Sequence, residues 1–121
     1  MANYIYRDIK TVPGTSCPCG EAFRIIGAQD GTPASFHVVK IKQDSERHYH
    51  KRMTEIYYCL EGTGTIELDD ERLPFHPGAL VVIQPGTRHR AVGNLTIINV
   101  VIPPFDPADE YPEDSQSVRI Q

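Results

Sequence analysis

The sequence predicts an all-β domain with the architecture of a sandwich or a barrel. Short runs of β-branched and aromatic residues recur along its 121 residues, a length typical of a single domain. Turn-forming residues separate these runs, and they include 10 prolines and 9 glycines. No long stretch has its apolar residues at helical spacing. Closely spaced short strands joined by turns are typical of β-sandwiches and β-barrels.

The predicted strands follow the apolar and β-branched runs in order. They cover residues 22–27, 35–42, 55–60, 65–68, 72–75, 79–83 and 95–102. In the second of them, Lys40 and Lys42 are expected to face water, and alternation then turns His37 towards the interior. The run 79–83 is apolar throughout and too short for a helix, so we expect a buried strand there.

Turn signals connect these strands. Residues 29–33 contain Gly31 and Pro33 and are predicted to form a turn. The Gly-Thr-Gly sequence at 62–64 is predicted to be a turn or a bulge, and 69–71 is predicted to be the tip of a hairpin.

The barrel core is predicted to span residues 22–104. The preceding segment, 1–21, is rich in turn residues and is expected to be irregular. The following segment, 105–121, is acidic. We expect it to be a solvated, partly disordered extension that packs locally through Phe105 and Tyr111.

Composition argues against several classes of partner. The net charge is −4, whereas nucleic acids and anionic membranes both require clustered Lys and Arg. No apolar stretch approaches the ~20 residues of a membrane helix, and Arg7, Asp8 and Lys10 interrupt the region where a signal peptide would lie. Three cysteines, an odd number, do not form a closed disulfide framework, which favours a cytoplasmic protein with free thiols.

Four potential metal ligands have a spacing suited to a single site. His48 and His50 stand two residues apart, so on a strand both imidazoles point to the same side. Glu55 follows after a short connection, and His89 comes soon after a Pro-Gly turn. Three imidazoles and a carboxylate suit Mn, Fe, Co, Ni, Cu or Zn and do not suit Ca or Mg. A single histidine is usually a surface or core residue, so the conjunction of all four predicts the metal site.

The spacing of these residues resembles the two sequence motifs of small cupins. The first motif, G-x5-H-x-H-x(3,4)-E-x6-G, is matched by His48, His50, Glu55 and Gly62. The second motif, G-x5-P-x-G-x2-H-x3-N, is matched by Gly78, Gly86 and His89. The chain departs from the motifs at Lys42, Ala79, Gln84 and Gly93. None of these is a ligand position, so the departures concern loop geometry.

The resemblance, which covers residues 35–104, implies a double-stranded β-helix, or jelly-roll barrel, with one divalent transition metal between its sheets. It also implies a homodimer, to which an early segment such as 3–10 could contribute. Cupins with this ligand set include dioxygenases, lyases and isomerases that act on small polar molecules such as carboxylates and sugars. A second class stays open, namely a module that binds or senses a small molecule without turnover.

Strand parity gives candidates for a substrate pocket beside the metal. Tyr57 shares a face with Glu55, and its phenol could orient a substrate or act as an acid or base. The alternative is a wall residue whose hydroxyl is satisfied by the protein. His37 could bind substrate or be a satisfied buried histidine, and the face of Arg24 is ambiguous.

Other reactive residues are assigned to loops. Cys17 and Cys19 flank a proline and could bind a soft metal or act as a redox pair. Two thiolates do not complete a zinc site, however, so an ordinary loop is the favoured interpretation. His76 precedes a Pro-Gly pair and is predicted to be exposed, while Lys51 and Arg52 are predicted to lie in a solvated loop.

Overall fold

The computed structural model describes residues 3–42 and 46–113, and strands dominate both ranges. In this part of the chain the strands are β1 (Gly14–Cys17), β2 (Gly20–Ile26), β3 (Ser35–Ile41), β4 (His48–Tyr49), β5 (Thr54–Leu68), β6 (Glu71–Phe75), β7 (Leu80–Ile83), β8 (His89–Ile102) and β9 (Tyr111–Pro112). Short 3-10 helices lie at Ile9–Thr11, Ala28–Asp30 and Pro107–Asp109. Within the described ranges, no helix has the length and apolar character needed to cross a membrane.

Two long strands, β5 and β8, organise the sheet. They pair antiparallel along their whole lengths, from Thr54 opposite Ile102 to Leu68 opposite His89. Strands β3 and β4 pair with β8, while β6 and β7 pair with the two halves of β5. A register shift just after Cys59 marks a β-bulge, which bends the long pair. The sheet therefore curls into the predicted jelly-roll barrel.

Alternation along each strand separates the interior from the surface. In β3, His37, Val39 and Ile41 are buried whereas Lys40 is exposed, as the sequence pattern predicts. The buried apolar cluster consists of Ala22, Val39, Ile41, Tyr57, Cys59, Ile66, Phe75, Ile83, Ala91, Leu95 and Ile97. Tyr57 lies two residues after Glu55 on β5, so the apolar core borders the potential metal ligands.

Of the turn or bulge predicted at 62–64, the turn is wrong, because β5 continues through these residues, and the bulge lies just before them, between Cys59 and Glu61. Gly62 has a φ of +92°, and a Cβ atom at this position would collide with the backbone carbonyl of Asn94 on β8. A Cβ at Gly64 would collide with the carbonyl of Val92 in the same way. These glycines therefore permit a close approach of two strands, and they do not reverse the chain.

The strand predicted at 79–83 is present as β7, but the prediction that it is buried is wrong. In β7, Ile83 is 1% exposed, but Leu80 is 57% exposed and Val82 is 47% exposed. Because successive side chains of a strand point to opposite sides, half of this apolar run faces out of the barrel.

Both end segments contain more regular structure than expected. The predicted irregular segment 1–21 includes β1, which pairs with β2. At the other end, β9 pairs with β4, and Tyr111 stacks on Tyr49 with 5.4 Å between ring centroids. Phe105 and Tyr111 pack locally, as predicted, but Asp109 is only 2% exposed, so the described part of this segment packs on the barrel and is not a solvated extension. Residues 1–2 and 114–121 lie outside the described residues.

Candidate metal centre

Three elements bring the four predicted ligands together. His48 lies on β4, which pairs with β8 so that His48 stands opposite His89. His50 follows directly after β4, and both it and His48 face the same side because they are two residues apart. Glu55 is the second residue of β5 and is buried inside the barrel.

The potential ligand atoms converge on one point. One such atom from each of His48, His50, Glu55 and His89 lies within 4.8 Å of the others. Glu55 Oε1 is 3.0 Å from Nε2 of His50 and 3.1 Å from Nε2 of His89. His50, Glu55 and His89 are almost fully buried, while His48 is half-buried.

Each of the three imidazoles is oriented by a backbone carbonyl oxygen that accepts a hydrogen bond from its Nδ1. The pairs are His48 with Glu46 at 3.0 Å, His50 with Asp109 at 2.8 Å and His89 with Thr87 at 2.8 Å. A carbonyl oxygen can only accept, so Nδ1 carries the proton in each ring. In the neutral rings the lone pair is therefore on Nε2, the nitrogen that His50 and His89 direct at Glu55.

The cluster contains a buried negative charge. Burial disfavours ionisation of Glu55, but hydrogen bonds that His50 and His89 donate from Nε2 when their rings carry a second proton, together with the resulting positive charges, outweigh it and hold the pKa of Glu55 well below its usual range. Burial also disfavours the charged form of His50, but the hydrogen bond to Glu55, the charge of Glu55 and the backbone hydrogen bond to Asp109 together outweigh this effect and raise the pKa of His50. Burial, followed by the neighbouring His89, lowers the pKa of His48. A divalent cation could compensate this carboxylate without requiring charged imidazoles.

A buried carboxylate beyond the barrel core fixes the loop between His50 and Glu55. The Asp109 side chain accepts hydrogen bonds from the backbone N–H groups of Lys51 at 2.9 Å, Arg52 at 3.0 Å and Met53 at 2.9 Å. Burial opposes its ionisation, but these three donors together lower the pKa of Asp109. No sequence pattern marks this residue, because one acid in an acidic stretch carries no local sign of burial.

A cavity of about 860 Å³ opens beside the cluster, and its lining includes both predicted pocket residues, Tyr57 and His37. Tyr57 Oη lies 3.5 Å from Glu55 Oε1. Burial, followed by the charge of Glu55, raises the pKa of Tyr57 well above its usual value, so the phenol keeps its proton at neutral pH. Burial, followed by Arg24, lowers the pKa of His37 to about 4, which leaves its imidazole neutral at the same pH.

Three residues whose roles the sequence left open also line this cavity, namely Arg24, Cys17 and Cys19. Burial, followed by the neighbouring Cys17 thiol, raises the pKa of Cys19 to about 12. A protonated thiol is a poor metal ligand, because thiolates are the form that binds metals. The two thiols therefore contribute to the cavity wall and not to the metal ligands. The prediction of an ordinary loop did not indicate that this loop borders the cavity.

The remaining candidates lie away from the cavity. His76 is exposed after β6, as predicted. Lys51 and Arg52 are exposed in the loop after His50, in agreement with the expected solvated loop. Arg52 forms an exposed ion pair with Asp106 at 2.9 Å.

Comparison with known proteins identifies relatives by sequence and by structure. The cupin domain profile matches residues 35–97. L-ectoine synthase of Aliivibrio fischeri is 32% identical over 100 residues, which cover 78% of this chain and 78% of that protein. A crystal structure of a protein from Planctomyces limnophilus has a TM-score of 0.84 and 41% identity, covering 92% of this chain and 96% of that one.

More distant structures share the fold alone. Pac13, a nucleoside dehydratase from Streptomyces, has a TM-score of 0.77 and 20% identity over 95% of this chain and 98% of its own. The profile match spans more than half of the chain and includes all four clustered residues. The chain belongs to the cupin family.

Proposed function

We propose that the chain is a metal-dependent enzyme acting on a small polar molecule, with His48, His50, Glu55 and His89 holding one divalent transition ion. The observation that carries this proposal is the convergence of the four ligand atoms within 4.8 Å of one another beside a cavity of about 860 Å³. A cavity of this size can enclose a small organic molecule.

The surroundings of the cluster support an accessible ion in preference to a purely structural one. Structural zinc sites are closed and commonly use thiolates, whereas this cluster contains imidazoles and a carboxylate. Ions that prefer five or six ligands would keep positions free for substrate or water. His48 and Glu55 line the cavity, so a molecule bound there would be adjacent to those positions.

The residues around the cluster favour acid–base chemistry of the lyase or isomerase class. A bound divalent ion supplies Lewis-acid polarisation of a substrate oxygen. Tyr57 holds a proton on its phenol oxygen close to Glu55, where it could donate to a leaving group or bind a substrate hydroxyl. Neutral His37 could accept or donate a proton at Nε2 in the same cavity.

Elemental analysis followed by turnover assays tests this function. Protein purified from its source is expected to contain one transition ion per chain. Metal-dependent conversion of small carboxylates or sugars without oxygen would support a lyase or isomerase. Oxygen consumption would instead indicate a dioxygenase, and tight binding without product would indicate a binding module.

The His50→Ala variant tests the ligand assignment. Loss of one buried imidazole should abolish stoichiometric metal binding while the circular dichroism of a β protein is retained. The matched control is His76→Ala, which removes an exposed histidine that belongs neither to the cluster nor to the cavity lining and should keep the metal. Undiminished metal content in His50→Ala would refute the assignment.

We also infer that the protein works in a reducing compartment such as the cytoplasm. Cys17, Cys19 and Cys59 are all free thiols, and such thiols persist where disulfides are kept reduced. Thiol titration of freshly lysed cells should find all three reactive after unfolding. A disulfide in the isolated native protein would contradict this localisation.

A further inference from the structure

Four polar side chains form a row across the inner face of the sheet. Arg24 of β2 lies opposite His37 of β3, and His37 lies opposite Asn99 of β8. Asn99 in turn lies opposite Tyr57 of β5. Directly opposite residues of antiparallel strands point to the same side, and all four of these side chains line the cavity.

Asn99 lines the cavity and has a hydrogen-bond acceptor that is unpaired within the described residues. Its Nδ2 donates to Glu55 Oε2 at 2.9 Å, and a carboxylate oxygen requires a donor, which fixes the orientation of the amide. The opposite atom, Asn99 Oδ1, is buried and has no hydrogen-bond partner among residues 3–42 and 46–113. Buried polar atoms are nearly always paired, so a ligand that donates a hydrogen bond would complete this site.

His37 presents a second atom of this kind. Its Nε2 is buried and likewise has no partner in the described part of the chain. The ring packs edge-on against Phe105, with 5.7 Å between the ring centroids. Because burial and Arg24 lower the pKa of His37 to about 4, this nitrogen offers a neutral hydrogen-bonding group.

Arg24 supplies a positive charge at the outer end of the row. Its guanidinium lies 5.4 Å from the centre of the Phe105 ring, and the described residues form no ion pair with it. Arg90, which also lines the cavity, differs because its guanidinium is bound to Glu67 at 3.0 Å. A guanidinium is well suited to bind a carboxylate through two parallel hydrogen bonds.

We propose that Arg24, His37 and Asn99 form a binding subsite for a small carboxylate that carries a hydroxyl or amino group a few bonds away. The carboxylate binds Arg24, and the hydroxyl or amino group donates to Asn99 Oδ1 beside Glu55. The inference rests on the proposed function, because it places the organic molecule in the same cavity as the metal.

The strand spacing limits the length of such a molecule. Neighbouring strands lie about 4.8 Å apart, which separates the Cα atoms of Arg24 and Asn99, two strands apart, by roughly 10 Å. The long Arg24 side chain covers part of this span, so the ligand needs only a short chain between its two polar ends. His37 stands between them and can bond to the middle of the chain.

Calorimetric titration of the zinc-loaded full chain with 4-hydroxybutyrate and with butyrate tests the subsite. The two probes differ only in the hydroxyl group. We expect 4-hydroxybutyrate to bind about tenfold more tightly, because only it can satisfy Asn99 Oδ1. Arg24→Gln should weaken the binding of both probes about tenfold while the zinc content stays unchanged. The matched control Arg72→Gln changes an exposed arginine of β6 that does not line the cavity, and it should leave both affinities unaltered.

The possible failures are distinguishable. Equal affinities for the two probes, no binding of either, or unchanged binding in Arg24→Gln would overturn the subsite while leaving the metal centre intact. A chain that takes up no zinc would contradict the proposed function itself, and with it the inference that depends on that function.

Discussion

At the scale of single residues, the candidate centre depends on which nitrogen of each imidazole carries the proton. The backbone carbonyls of Glu46, Asp109 and Thr87 accept from Nδ1, and the neutral rings therefore have their lone pairs on Nε2. The fold thus selects the tautomer that can bind a metal through Nε2, and it does so without the ion. Hydrogen bonds of this kind orient ligands and increase their basicity.

Asp109→Asn tests whether the C-terminal segment positions His50. The amide keeps the volume of the side chain. It can accept hydrogen bonds from the backbone N–H groups of 51–53 only through one neutral oxygen, because its N–H₂ group is a donor. We expect the affinity for zinc to fall about 10–100-fold without loss of the fold, as measured by competition with a chelator. Asp70→Asn, at an exposed hairpin tip, is the control. Equal affinities in the two variants would show that Asp109 does not act on the site.

Tyr57→Phe separates a role in chemistry from a role in metal binding. The variant loses one phenol oxygen, which lies 3.5 Å from Glu55 Oε1. Once a substrate is known, kcat should fall about 100-fold or more if the phenol transfers a proton, while elemental analysis should show an unchanged metal content. A loss of metal would instead show that Tyr57 supports Glu55.

The buried His37 makes stability depend on pH. Its folded pKa of about 4 lies below the ordinary 6.5, so the unfolded chain binds more protons between these values. The contribution of His37 to stability is therefore present above pH 6.5 and is lost as the pH falls towards 4. Arg24 and Glu55 are the charged groups that act on this imidazole.

Urea unfolding of the metal-free chain at several pH values checks this dependence. Between pH 6.5 and about 4, the wild type should lose more stability than His37→Gln. The upper limit of the difference is about 3 kcal/mol, which solvent screening reduces. Parallel curves for the two proteins would contradict the prediction.

At the scale of elements, the contact between β5 and β8 requires glycine. Gly62 and Gly78 both have a φ of +92°, which disfavours any other residue. A Cβ at Gly62 would also meet the carbonyl of Asn94, whereas a Cβ at Gly78 would have no atom within 4 Å. The two glycines therefore have the same φ, and they differ in whether an added Cβ atom would collide with a neighbouring strand.

Alanine substitution at these two glycines measures that difference. Gly78→Ala is expected to cost about 1 kcal/mol through its backbone conformation alone. Gly62→Ala should cost roughly 2–3 kcal/mol more, since β5 and β8 must separate to relieve the collision. Denaturant unfolding of both variants gives the comparison, and equal losses would mean that the strands adjust without strain.

Local patterns were sufficient to group His48, His50 and Glu55, because spacing and strand parity act over a few positions, whereas His89, 34 positions after Glu55, was added through the second cupin motif. His48 and His50 share a face for this reason, and His37 was placed inside β3 in the same way. Asn99 and Asp109 were missed because their partners, Glu55 and His50, lie 44 and 59 positions away in the chain. No local pattern marks such contacts, which only the curled sheet creates.

At the scale of the whole molecule, the barrel has an apolar outer face. Its exposed members on β5, β7 and β8 are Tyr58, Leu60, Leu80, Val82 and Ile102. Tyr58 lies opposite Leu80, which makes the face continuous between strands. The apolar sequence of β7 does not indicate which of its residues face outwards, because apolar residues occur both in cores and in interfaces. Exposed patches of this kind commonly mark protein–protein interfaces.

A homodimer remains our prediction for this face, with a second copy of the chain as the occupant. Segment 3–10, predicted to contribute, exposes Tyr4 and Tyr6. Val82→Lys should convert a dimer to a monomer in light-scattering measurements, because a charge would be buried in the interface. Leu73→Lys, which alters an exposed apolar residue of β6, is the matched control. A monomeric wild type would refute the dimer.

The hydrogen bond from His50 to Asp109 also has a consequence for biosynthesis. The acceptor is added to the growing polypeptide 59 positions after the histidine that it orients. A nascent chain on the ribosome therefore lacks this constraint on His50 until residue 109 has been incorporated. The arrangement of His50 in the candidate centre must therefore follow translation of residue 109.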